Sequence, residues 1–129
     1  MWRVVIYARE TPGSACAARM DRQVGRLAAQ VARQPDWQHI ATYADQWTGV
    51  PGDRPGLSRL LADAPASFDV VVVDGYGRLS PNRHELATIL GHLTAVGVKT
   101  IVLRSTAGRR FAKALANFAL ADLIGESLR

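Results

Sequence analysis

Arginines stand beside hydroxyl and carboxylate side chains in three short stretches of the chain. These residues are Arg9 and Thr11, then Asp45, Thr48 and Arg54, then Asp74, Tyr76 and Arg78. Phosphoryl transfer requires an in-line nucleophile and neutralisation of the charge on the phosphate oxygens, which the forked guanidinium group of arginine can supply. The residue types therefore favour a phosphate-binding site that needs no metal ion and no other cofactor.

Alternating hydrophobic patterns indicate the elements that must position these side chains. The patterns predict strands over residues 2–7, 38–43, 68–73 and 98–103, and helices over about 17–34, 55–64, 80–96 and 107–128. Strands that alternate with helices favour right-handed crossovers and a parallel sheet. We therefore predict an α/β fold, with a parallel sheet of about four strands, helices on both faces, and a long helix at the end.

Composition within these segments makes the prediction more specific. Residues 68–73 are apolar on both faces, as expected of a central strand, whereas residues 38–43 alternate as an edge strand does. Ser80-Pro81 is predicted to cap and open the third helix, and Gly97 to end it. The predicted core face of that helix consists of Leu86, Ile89, Leu90 and Leu93.

The loops after the first three strands are the predicted location of the site. They cover residues 8–14, 45–54 and 74–80, and they contain the arginines and hydroxyls described above. Function in parallel α/β sheets gathers beyond the carboxyl ends of the strands. We expect the three stretches to meet at that edge.

Composition limits the class of protein. The 129 residues suit a single domain, and 16 basic against 11 acidic residues give a net charge of +5, which permits binding to a phosphate backbone without requiring it. No apolar run reaches the length of a membrane span, and no signal-peptide pattern opens the chain, so we expect a cytoplasmic protein with no membrane partner. Cys16 has no second cysteine to pair with, and the three histidines are scattered, so we expect no metal site.

Several ordered motifs point to a known family. They are Tyr7-Ala8-Arg9-Glu10-Thr11, Gln23, Asp45, Thr48-Gly49, Arg54-Pro55, Tyr76-Gly77-Arg78-Leu79-Ser80-Pro81, Thr106-Ala107-Gly108-Arg109, Phe118-Ala119 and Asp122. In type and order they resemble the motifs of the catalytic domain of serine site-specific recombinases, the resolvase and invertase superfamily. The resemblance extends over essentially the whole chain.

The resemblance implies roles for individual residues. In that family a serine attacks a DNA phosphodiester and becomes covalently joined to it during strand exchange, in recombination and DNA integration. Carried over, the catalytic residues are Thr11, Arg9 and Arg78, and the phosphate-binding or DNA-binding residues are Gln23, Asp45, Arg54, Arg83 and Arg109. The last helix would form a homodimer interface through Phe111, Leu115, Phe118 and Asp122.

Three positions depart from the family pattern. Thr11 replaces the nucleophilic serine, Gly77 replaces an acidic residue, and Pro81 replaces a phosphate-binding arginine. The threonine methyl group crowds an in-line attack, and the loss of one guanidinium group lowers catalytic rates strongly. We expect a dimerising, DNA-associated domain with weakened or absent cleavage, although Arg83 and Asp74 lie near enough in sequence to replace the lost groups.

Two other functions remain open. One is an active recombinase domain that uses Thr11 as its nucleophile, and the other is a protein-interaction scaffold with no role on DNA. At the residue level, the arginines could be exposed members of surface ion pairs and Thr11 a turn residue. In the family the last helix leads to a separate DNA-binding domain, and we expect none here after Arg129.

Overall fold

The computed structural model describes residues 1–46, 54–64 and 66–103. Within these ranges the strands are β1 (Trp2–Glu10), β2 (Trp37–Gln46), β3 (Val70–Val73) and β4 (Lys99–Val102). The helices are α1 (Cys16–Ala32), α2 (Pro55–Asp63), α3 (Tyr76–Leu79) and α4 (Arg83–Ala95).

The four strands form one parallel sheet in the order β2-β1-β3-β4. β3 is buried along its whole length between β1 and β4, and β2 lies at the edge, as the sequence predicted. Side chains of successive strand residues point to opposite faces. In β1, Val4 and Ile6 pack with Leu27 and Val31 of α1, whereas the alternate residues pack with α2, α3 and α4. The predicted α/β fold with helices on both faces is therefore confirmed.

β1 and β2 are longer than predicted. Their pairing continues to the contact between Glu10 and Gln46, so the predicted strand ends at residues 7 and 43 were wrong. Strand pairing uses backbone groups and tolerates polar side chains such as those of Arg9 and Asp45, so the apolar pattern ends before the strands do. Both site residues consequently lie on a strand instead of a loop.

The segment between β3 and α4 also differs from the prediction. Residues 76–79 form the helical turn α3, and α4 begins at Arg83 instead of at Ser80-Pro81. The cap is Asn82, whose side-chain oxygen accepts hydrogen bonds from the backbone N–H groups of His84 and Glu85. At the other end, Gly97 adopts a φ of +82°, as predicted for a helix stop.

Several predictions fall outside the described residues. They concern Thr48, the helix predicted over residues 107–128, Arg109, and the predicted dimer residues Phe111, Leu115, Phe118 and Asp122. Within the ranges that are described, no helix is long and apolar enough to cross a membrane.

Candidate functional site

Hydrogen bonds from three arginines join the end of β1, the helical turn α3 and the start of α2. Arg9 donates from Nη2 to the carbonyl oxygen of Gly77 at 2.6 Å. Arg78 donates from Nη1 to the carbonyl oxygen of Arg9 at 2.8 Å, and Arg54 donates from Nη2 to that of Arg78 at 2.8 Å. The three predicted arginines therefore meet at the carboxyl edge of the sheet.

Gln23 of α1 holds the backbone of Arg9. β1 pairs with β3 only as far as Ile6. Beyond that point, the amide side chain of Gln23 accepts from the N–H of Arg9 and donates to its carbonyl oxygen, each at 3.2 Å. Both side chains are buried. Gln23 thus acts on the site through the backbone of Arg9.

Tyr7 and Asp45 link the edge of the sheet to α2. The Tyr7 hydroxyl donates to Asp45 at 2.7 Å. Asp45 also accepts the first N–H groups of α2, from Gly56 at 2.7 Å and Leu57 at 2.8 Å. Burial, and then the hydrogen bond to Asp45, raise the pKa of Tyr7 well above its usual value. Tyr7 therefore remains protonated and donates to the carboxylate.

Arg54, predicted to bind phosphate, points into this network. Its side chain is only 4% exposed. It donates to the Tyr7 hydroxyl at 2.8 Å and to the carbonyl oxygen of Leu79, and it lies 3.3 Å from Glu85. Its guanidinium carbon is 5.5 Å from the centre of the Tyr7 ring. Arg54 therefore holds α3 against β1.

Arg78 lies between two carboxylates. Its Nη2 atom is 3.5 Å from Glu10 and 3.4 Å from Asp74. Asp74 also accepts from Arg26 of α1. The guanidinium group of Arg78 is thus balanced by acidic groups in this structure.

Arg9 lies buried beside two other arginines of the site. Burial lowers the pKa of Arg9, and the nearby charges of Arg54 and Arg78 lower it further. A group whose cationic form is disfavoured by neighbouring cations gains stability when an anion arrives. The electrostatics therefore suit a bound phosphate.

Thr11, Gly77 and Arg83, the other predicted positions in the described part of the chain, are exposed. Thr11 follows β1 directly, and its carbonyl oxygen accepts from Arg19 at 2.8 Å. Arg83, at the start of α4, forms no hydrogen bond or ion pair with the described residues. A Cβ added to Gly77 would meet no atom within 4 Å. No three His, Cys, Asp or Glu residues in the described part of the chain are placed to hold a metal ion.

Sequence reasoning assigned no role to Tyr7 or Arg26. Tyr7 stands two residues before Arg9 in an otherwise aliphatic strand, which places both side chains on one face. This position could have indicated that Tyr7 contributes to the site. Arg26 follows Gln23 by three residues, so the two lie on one face of α1. Distances between elements could not be obtained from spacing alone.

Comparison with known proteins identifies the family. The model of the family "Resolvase, N terminal domain" matches residues 4–125. The chain belongs to the resolvase N-terminal domain family. No curated protein matches the sequence significantly.

Solved structures of serine recombinases share the resolvase fold. The C-terminal catalytic domain of ISC1926 TnpA, an IS607-like serine recombinase, is 24% identical with a TM-score of 0.70, and the match covers 90% of this chain and 79% of that one. The N-terminal catalytic domain of TP901-1 integrase is 26% identical with a TM-score of 0.65, covering 98% of each chain. A serine recombinase from Sulfolobus solfataricus is 22% identical with a TM-score of 0.65, covering 96% and 82%. This resolvase-family chain is thus a serine-recombinase-like catalytic domain of the kind associated with DNA recombination.

Proposed function

We propose that this domain binds the phosphate backbone of DNA at the cluster formed by Arg9, Arg54 and Arg78, which we call the Arg9 cluster. We further propose that the domain dimerises and that its ability to cleave the DNA strand is weakened or lost. The observation that carries the proposal is the convergence of Arg9, Arg54 and Arg78 at the carboxyl edge of the sheet, where burial and then the charges of Arg54 and Arg78 lower the pKa of Arg9. Like charges held together in a fold are costly unless a ligand of opposite charge offsets them. A DNA phosphate is the ligand that the family membership favours.

Weakened cleavage is supported by residues at and around the cluster. Thr11 offers a hydroxyl that is stiffer at χ1 than that of serine. Gly77 has no side chain, and Pro81 brings no charge. Arg78 is held by Glu10 and Asp74, so binding a phosphate requires it to exchange these partners. The absence of an arginine at Pro81 and the pairing of Arg78 each reduce the charge stabilisation that phosphoryl transfer needs.

The test is binding to a labelled duplex of about 25 base pairs over a salt series. Each phosphate contact contributes about 0.9 to the slope of log affinity against log salt. Arg9→Gln is expected to weaken binding and lower the slope by about 1. The control is Arg33→Gln, which removes one exposed charge just beyond α1, at the opposite edge of the sheet. An equal effect of both variants, or a wild-type chain that does not bind at low salt, would refute the proposal.

A second candidate function is strand cleavage with Thr11 as nucleophile. The exposed position of Thr11 directly after Arg9 and Glu10 favours it. Its hydroxyl would attack the phosphorus and displace a sugar oxygen, leaving a phosphothreonine link to DNA. The test is a protein–DNA adduct on supercoiled DNA that survives denaturation and is lost in Thr11→Ala. An adduct that persists in Thr11→Ala would exclude this residue.

A further inference from the structure

Arginines are half of the residues that line an open cleft beside the Arg9 cluster. Its volume is about 710 Å³, and it lies between α1 and the carboxyl ends of β1 and β3. Its charged residues are Arg19, Arg22, Arg26 and Arg78 against Glu10 and Asp74. Four guanidinium groups against two carboxylates leave a net positive charge. We refer to this space as the α1 cleft.

The two carboxylates are already occupied by arginines. Glu10 accepts from Arg19 at 3.3 Å, and Asp74 accepts from Arg26. Both carboxylates also face Arg78. Arg22 is exposed and forms no hydrogen bond or ion pair with the described residues. Within the described part of the chain, its donors are therefore unoccupied.

The spacing of the arginines on α1 matches a nucleic-acid backbone. Arg19, Arg22 and Arg26 follow one another by three and four residues, so they form a stripe on one helix face. Seven residues of α-helix span about 10.5 Å. Phosphates on one DNA strand advance about 3.4 Å each along the duplex axis. The stripe thus has the length of roughly three phosphate steps.

We propose that the α1 cleft binds phosphates of the DNA strand adjoining the phosphate held at the Arg9 cluster. The inference rests on the proposed function, because Arg78 belongs to both places and the strand must run from one to the other. A solvated basic helix face is the ordinary state of exposed arginines. This stripe differs because it lines the same open, shallow depression as Arg78. The cleft would extend the contact with DNA without reading its sequence.

The decisive variant is Arg22→Gln, measured in the same duplex-binding salt series. Arg22 is exposed, so its replacement should leave the fold intact. We expect the salt slope to fall by about 1. Arg33 lies on the same face of the sheet as Arg22 but about 16 Å farther along the helix axis. Arg33→Gln should therefore leave the salt slope unchanged. Equal slopes for wild type, Arg22→Gln and Arg33→Gln would overturn the proposal.

A second pair of variants tests the cleft by adding charge. Gly25 lines the cleft, and Gly91 is an exposed glycine of α4; a Cβ meets no atom within 4 Å at either position. Gly25→Glu should weaken duplex binding several-fold, whereas Gly91→Glu, with the same charge change, should not. Equal weakening by both would mean that only net charge matters and would overturn the proposal.

Two outcomes separate this proposal from the proposed function. If Arg9→Gln weakens binding and Arg22→Gln does not, DNA binding at the Arg9 cluster stands and the α1 cleft is excluded. If inorganic phosphate stabilises the wild type but not Arg22→Gln, while both bind the duplex equally, the cleft takes a free anion and the DNA assignment is wrong. A lower salt slope in both Arg9→Gln and Arg22→Gln supports phosphate binding at the Arg9 cluster and in the α1 cleft.

Discussion

Gln23 and Arg78 both bind the backbone of Arg9, at the point where β3 no longer pairs with β1. The orientation of Arg9 therefore depends on side chains from α1 and α3 as well as on its own strand. Buried backbone groups without a partner are costly, so these contacts stabilise the fold as well as the site. Gln23 thus only holds Arg9, whereas Arg78 both holds Arg9 and belongs to the proposed phosphate site.

Gln23→Leu should reduce the free energy of unfolding by about 1–3 kcal/mol, because the buried N–H of Arg9 loses its acceptor. Chemical denaturation measures the change. Gln30→Leu is the matched control on α1, since its side-chain oxygen has no hydrogen-bond partner among the described residues. If the two variants are equally destabilised, the Gln23 contact adds nothing to stability.

Restoring the family residues at the three departures should raise cleavage. The triple variant Thr11→Ser, Gly77→Asp, Pro81→Arg supplies the nucleophile, the acid and the guanidinium group together. Gly77 has room for a Cβ and Pro81 is exposed, so we expect the fold to persist. Denaturing gels should show more covalent adduct on a supercoiled plasmid library, by about 100-fold or more.

The same triple variant with Thr11→Ala in place of Thr11→Ser is the control and should form no adduct. Circular dichroism should match between the two. A folded triple variant with no more adduct than wild type would mean that the three departures are not what limits cleavage.

At the scale of elements, α2 is attached to β2 by a close approach of backbones. A Cβ at Gly56 would lie 2.6 Å from the carbonyl oxygen of Ala44 and 2.9 Å from a carboxylate oxygen of Asp45. Only glycine lets the first turn of α2 come near enough for Asp45 to accept its N–H groups. Since Arg54 immediately precedes α2, this contact also sets the position of Arg54.

Gly56→Ala should therefore destabilise the protein by about 1–3 kcal/mol, because the obstacle is backbone and cannot rotate away. Thermal unfolding of the wild type and the variant measures this change in stability. Gly91→Ala on α4, where a Cβ meets no atom, should instead stabilise by about 0.5–1 kcal/mol. Destabilisation by Gly91→Ala of the same size would show that the contact with Ala44 is not the cause.

At the scale of the whole molecule, the parallel sheet brings the carboxyl ends of its strands to one edge, and the arginines of the site lie there. A single domain that contacts only backbone phosphates binds DNA weakly and without sequence preference. Dimerisation would double the number of contacts with DNA phosphates. The apolar pattern of residues 107–128 is wider than a one-sided stripe, and it motivates the dimer proposal.

Sedimentation velocity at micromolar concentration should therefore give the mass of a homodimer. Phe118→Asp, which places a charge in the proposed interface, should shift the protein to monomer, whereas Phe118→Leu should not. A monomeric wild type would contradict the dimer proposal and leave the phosphate site unaffected.

Hydrophobic periodicity was sufficient to predict the α/β class, the parallel sheet with β2 at its edge, and the edge at which Arg9, Arg54 and Arg78 meet. These features follow from which residues must be buried, and the local spacing of apolar residues indicates which residues those are. The tertiary structure decided that Arg54 and Asp45 face inward to hold α2 and α3, and that Glu10 and Asp74 balance Arg78. The direction of a polar side chain depends on partners that are distant in sequence, so no local pattern determines it.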